Sequence, residues 1–155
     1  MKTKFTTLIA LTSLLLSILS WSLITTAKSA PQFKVVELRV GEQVVTAKVA
    51  NNQATRAHGL MYAKSANPGM LLVYDQPKEM HLWMRNTLIP LDVAFFDVNG
   101  KIIKITQMEA LSEQIHSSGK PVIGALELPL HWYKQHKVSI GDMIDYKTAI
   151  SSISK

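Results

Sequence analysis

Residues 91–108, LDVAFFDVNGKIIKITQM, decide the class of fold. DVAFFDV and KIIKITQM are apolar, β-prone runs on either side of Asn99-Gly100, and an Asn-Gly pair supplies the two positive-φ residues of a type I′ turn. A β-hairpin is predicted there. Further toward the N-terminus, QFKVVELRV sets Val36, Leu38 and Val40 on one face by alternation, and QVVTAKVA follows at once. Gly41-Glu42 between them suits a type II′ turn, so a second hairpin is predicted.

Between the hairpins, NNQATRAHGLMYAKSANPGM reads as a short helix capped by Asn52 or Thr55 and weakened by Gly59, then a turn at Asn67-Pro68-Gly69. LLVY, HLWM and VIGALEL read as strands, as does MIDYK after Gly141-Asp142; PLHWYKQHKV reads as one helix or an irregular crossing. No internal repeat, low-complexity tract or linker interrupts the chain. The expectation is one compact domain, residues 32–150, of about seven to eight strands with one or two short helices.

At 155 residues and 47% hydrophobic content, the chain can bury one ordinary core. Residues 1–27 are set apart: Lys2 and Lys4 precede an uncharged run from Phe5 to Ala27 with an apolar centre at Leu8 to Leu19, the layout of a secretory signal peptide. Cleavage after Ala27 leaves Thr25 and Ala27 as the small residues; cleavage after Ala30 would put Lys28 three positions back and Pro31 just beyond. The first is favoured. An uncleaved anchor is the rival, because the run is long enough to span a bilayer, but its frequent Ser and Thr and its small-residue exit favour a cleaved signal and a periplasmic or secreted protein.

The absence of Cys excludes a lipid-anchored lipoprotein, a disulfide framework and a thiolate metal site. Without Lys2 and Lys4, 15 basic residues face 11 acidic ones, a formal charge of +4. That excess is spread along the chain without a dense Lys/Arg run, so no nucleic-acid partner is expected.

His58, His81, His116, His131 and His136 form no HxH or HExxH pattern, and no GxSxG or glycine-rich phosphate loop occurs. Neither a metal, a cofactor nor a nucleophilic catalytic residue is expected. Met61, Met70, Met80 and Met84 read as core filler. The informative feature is a polar set inside apolar sequence. Arg85, Asn86 and Thr87 follow Trp83-Met84, Asp92 lies beyond Pro90, Glu127 sits in GALEL, and Arg56 is on the short helix. A charge removed from water without a partner costs several kcal/mol, so these groups either pair internally and pin the bend at Asn86-Thr87, or line a wet pocket. Arginines suit a carboxylate, a phosphate or a polyhydroxylated ligand. Asp92 and Glu127 also invite an acid/base pair, as in carbohydrate hydrolysis.

Arg56-x-x-Gly59-Leu60-Met61, Pro68-Gly69-Met70-Leu71, the block Trp83 to Asp92 (WMRNTLIPLD), Phe96-Asp97, Gly100, Leu126-Glu127-Leu128 and Gly141-Asp142 together resemble the domain of unknown function 192 family of bacteria and archaea, in the family's order from Val36 to Tyr146. The resemblance implies a mainly β, single sandwich-like or jelly-roll-like domain in a small, often exported protein, and implies no established activity. Two departures stand out: Arg85 occupies a position more usually Lys, and Leu130-His131-Trp132-Tyr133 replaces a small, Gly-containing turn. The reading is a non-enzymatic module that binds a small polar or anionic ligand or an envelope component through Arg56, Arg85, Asn86, Thr87, Asp92 and Glu127. The alternatives are a hydrolase using Asp92 and Glu127, and a structural or partner-binding module with no pocket.

Overall fold

The computed structural model describes residues 30–154; the signal peptide expected at residues 1–27 lies outside the described residues. Pro31–Lys155 form one compact unit. Its strands are β1 (Lys34–Val40), β2 (Gln43–Ala50), β3 (Gly69–Leu82), β4 (Leu91–Phe96), β5 (Ile102–Met108) and β6 (His116–Pro129), and its helices are α1 (Gln53–His58), α2 (Trp132–Gln135) and α3 (Tyr146–Ile153). The strands form one mixed sheet in the order β1-β2-β3-β6-β4-β5. Only β2 and β3 run parallel, joined through α1; every other pairing is antiparallel.

The mainly β expectation holds, with six strands among the described residues instead of seven or eight. LLVY and HLWM are parts of one 14-residue strand that also takes in Asp75, Gln76 and Pro77, its register against β6 shifting between Val73 and Lys78 and again between Glu79 and His81. MIDYK is not a strand: Met143 and Ile144 make only isolated bridges to Lys101 and Val40. Asp145 instead caps α3, its carboxylate accepting from the Thr148 amide at 3.2 Å. That capped helix was not expected.

Both hairpins form. At the first, Gly41 has φ +57 and Val40 faces Gln43, as a type II′ turn requires. At the second only Gly100 has positive φ, so the type I′ expectation is corrected: the Asp97 carboxylate accepts from the amides of Asn99 at 2.9 Å and Lys101 at 3.0 Å, closing a longer turn.

Burial falls on both faces of the sheet. Val36, Leu38, Val40, Leu71, Phe96 and Leu128 pack on one face with Tyr133, Ile144, Tyr146 and Ala149; Met70, Leu72, Met80, Met84, Val93 and Phe95 pack on the other with Leu60. Alternation along β3 and β4 sends successive side chains to opposite clusters, so these inner strands lose the apolar/polar rhythm and read as continuous apolar runs. The β3–β6 contact is tight at Gly124, where a Cβ would meet the Leu72 carbonyl oxygen at 2.5 Å and the Phe96 ring.

Candidate functional site

Asn52 starts α1 with a reciprocal cap: its side chain accepts from the Thr55 amide at 2.9 Å, and its own amide donates to the Thr55 hydroxyl at 3.2 Å. This fixes the helix beside β2, and Arg56 reaches from it to β3. Its guanidinium donates to the Val73 carbonyl at 2.9 Å and lies 4.2 Å from the centre of the Tyr74 ring. Lys78 approaches the same ring, its Nζ 4.8 Å from the centroid. Tyr74 thus holds two cations in place by attraction to its π system.

Beyond the end of β3 the chain turns through Met84 to Thr87. Asn86 adopts φ 62, a left-handed conformation that Asn tolerates better than most residues. Its carbonyl accepts from the Tyr62 amide at 2.8 Å, and the Thr87 carbonyl accepts from the Leu111 amide at 2.9 Å. Tyr62 and Leu111 also have positive φ, so three left-handed residues meet at two successive peptides and tie the loops together. Arg85 projects from this knot with a side chain 57% exposed, its guanidinium 5.5 Å from the Trp83 ring and its Nε 3.7 Å from Glu113.

These elements enclose a cleft of about 500 Å³ whose lining includes Arg56, Lys78, Arg85, Thr87, Trp83 and Glu127. Glu127 comes from β6, where it pairs with Met70 on one side and Val93 on the other. It is 6% exposed, forms no ion pair among the described residues, and its carboxyl oxygens are not among the fully enclosed atoms that lack a partner, so they open into the cleft. Burial pushes its carboxyl up from the ordinary 4.5 to about 8. At neutral pH this acid is mainly uncharged, so it does not neutralise the cations of the cleft.

Of the six candidate residues, Arg56, Arg85, Thr87 and Glu127 line this one cleft. Asn86 shapes the wall through its backbone without lining the cleft. Asp92 is elsewhere. Val93 faces Glu127 across β4 and β6, so its neighbour Asp92 leaves the sheet from the opposite face. There it is 2% exposed; its Oδ2 accepts from the Tyr133 amide at 3.4 Å, and its Oδ1 has no partner among the described residues. Arg85 does not pair with Asp92, and the two carboxyls proposed as an acid/base pair do not share a site. Nothing in the sequence marks Tyr74 or Lys78 as site residues, because Asp75-Gln76-Pro77-Lys78 looks like an ordinary polar run. His58 and His81 also line the cleft. Met70, Met80 and Met84 are buried core residues, as expected, whereas Met61, read the same way, is half-buried and lines the cleft.

No curated protein matches the chain. Its fold is similar to a crystal structure from Sinorhizobium meliloti 1021, described as a proposed transcription regulator, at 30% identity and TM-score 0.72, with 76% of this chain and 97% of that one covered. It is also similar to a protein of unknown function from Novosphingobium aromaticivorans DSM 12444, at 22% identity and TM-score 0.66, covering 78% and 97% of the two chains; at that identity the likeness concerns the fold alone. The family model described as "Uncharacterized ACR" matches residues 35–146, and the chain belongs to this domain of unknown function 192 family.

Proposed function

We propose that the chain is a non-enzymatic binding module whose cleft takes a small anionic or polyhydroxylated ligand, and that it works in the periplasm or outside the cell. The observation that carries the binding reading is the charge balance of the cleft. Arg56, Lys78 and Arg85 belong to a lining whose single carboxyl is held uncharged at neutral pH by burial, and the carboxylate that faces one of these cations from outside the lining, Glu113 beside Arg85, is largely exposed and makes only a long contact. A concave site with a few converging polar groups in a partly apolar wall is the usual form of a ligand site. Its existence favours binding over a module with no pocket. The export reading rests on the layout of residues 1–27. No nucleic-acid partner is proposed, since three cations facing a cleft do not make the extended basic stripe that tracks a phosphate backbone.

The test is a thermal-shift series with citrate and inorganic phosphate on the wild-type protein and on Arg56→Ala/Arg85→Ala. Anions should raise the wild-type midpoint with a logarithmic dependence on concentration and leave the double variant unmoved. An equal response from both proteins would remove the cleft from consideration. Export is tested by N-terminal sequencing of the protein recovered outside the cytoplasm, where a start at Lys28 is expected.

A further inference from the structure

Within that cleft the charged and the uncharged polar groups stand apart. No cation comes within ion-pair distance of Glu127 among the described residues, and burial is the sole cause of its raised carboxyl. The cations are held elsewhere in the lining: Arg56 by the Val73 carbonyl and the Tyr74 ring, Lys78 by the same ring, and Arg85 near Trp83 and the exposed Glu113. A bare anion would satisfy these cations and leave the Glu127 carboxyl to water. Asp92 Oδ1 is the one fully enclosed polar side-chain atom without a partner among the described residues, so the Glu127 carboxyl opens into the cleft it lines, and a ligand group that replaces water there has to match its hydrogen bonds. A carboxylic acid donates through its O–H and accepts at its carbonyl oxygen, which matches a hydroxyl or a neighbouring pair of hydroxyls. Trp83, also in the lining and 43% exposed, offers an apolar ring face on which the C–H face of a sugar can rest.

We infer that the ligand is a sugar bearing a carboxylate or a phosphate: the anion sits among Arg56, Lys78 and Arg85, and Glu127 reads a ring hydroxyl. This rests on the cleft being a binding site and adds the ligand class and the residue that selects it. Besides Glu127, the charged and titratable groups of the lining are Arg56 and His58 from the α1 region, Tyr74, Lys78 and His81 from β3, and Arg85 from the following turn; Glu79 stands 3.6 Å from His81 and Glu113 3.7 Å from Arg85 at its rim. Ionisation of Glu127 would set a second negative charge in the cleft with the anion, so affinity falls as pH rises past about 8.

The experiment is isothermal titration of the full chain with four probes: glucuronate, glucose 6-phosphate, glucose and inorganic phosphate. Glucuronate or glucose 6-phosphate should bind at least tenfold tighter than both glucose and inorganic phosphate. Glu127→Gln should keep most of that preference and flatten the loss between pH 7 and pH 9, whereas Glu127→Ala should bind the sugar acid no better than phosphate. The pH series on Glu127→Gln also subtracts whatever His58 and His81 contribute. Phosphate binding as tightly as the charged sugars overturns the inference while leaving an anion site standing. No binding of any probe overturns both. If Glu127→Ala does not fold, the four-probe comparison on the wild-type protein still decides.

Discussion

Val93 and Glu127 face one another across β4 and β6, which puts Asp92 and Glu127 on opposite faces of the same sheet. Two carboxyls separated by a sheet cannot flank one scissile bond. At pH 6, where Glu127 is protonated, Asp92→Asn and Glu127→Gln should change stability additively, with a coupling below about 0.5 kcal/mol in a double-mutant cycle. A coupling above about 1 kcal/mol would place both in one network.

Stability should fall with rising pH because of Glu127. The folded protein holds this proton up to about 8 and the unfolded chain releases it near 4.5, so between those values the native state binds more protons and unfolding becomes easier as pH increases. Each pH unit of that window is worth about 1.4 kcal/mol, so the total reaches on the order of 5 kcal/mol. Urea unfolding of wild type and Glu127→Gln at pH 5, 7 and 9 should show the two curves diverging toward pH 9, with the variant the more stable. Parallel curves would mean that the carboxyl is ionised in the folded protein.

Arg85→Ala should cost less than about 1 kcal/mol, because the contact with Glu113 is long and both side chains are largely exposed. An internal ion pair, the other reading open from the sequence, would make the loss about 3 kcal/mol or more by leaving an acid unpaired in the interior. Chemical denaturation separates the two, and a large loss would return Arg85 to a structural role.

Asn86 is expected to tolerate Gly and to resist Ala. At φ 62 an alanine carries the left-handed penalty of about 1 kcal/mol, and glycine does not. If Asn86→Ala and Asn86→Gly melt together, the loop relaxes out of this conformation and the knot with Tyr62 is not rigid.

The elements that sequence makes legible are those settled locally. Gly41 and Asn52 act where they stand, so the first hairpin and the capped helix α1 follow from the residues themselves. The second turn misled because Asp97, two residues before Asn99, competes for the turn amides. Asp75 to Lys78 misled because an extended strand can carry a polar run where its pairing is irregular. α3 was missed although Asp145 and Thr148 have capping spacing, since the apolar residues before them suggested a strand. In the site, Arg56, Arg85, Thr87 and Glu127 betrayed themselves as polar groups in apolar company. Asp92 shared that signal and belonged elsewhere. Parity along β4 settles its face, and parity has meaning only once the β4–β6 register is known. Lys78 and Tyr74 gave no signal, because a lysine in a polar run and a tyrosine at a strand's end are ordinary until a folded wall brings Arg56 beside them.

The strand order has a bearing on how the chain is made. β6 is the last strand in sequence and lies in the middle of the sheet, between β3 and β4. A chain released N-terminus first can assemble β1-β2-β3 and β4-β5 as two separate fragments, but neither has its inner edge covered until residues 116–129 emerge. Open edges of this kind invite pairing with other chains. The nascent molecule is thus most exposed to misassembly just before its keystone strand arrives, and a truncation that removes β6 should yield two sticky half-sheets in place of a smaller stable domain.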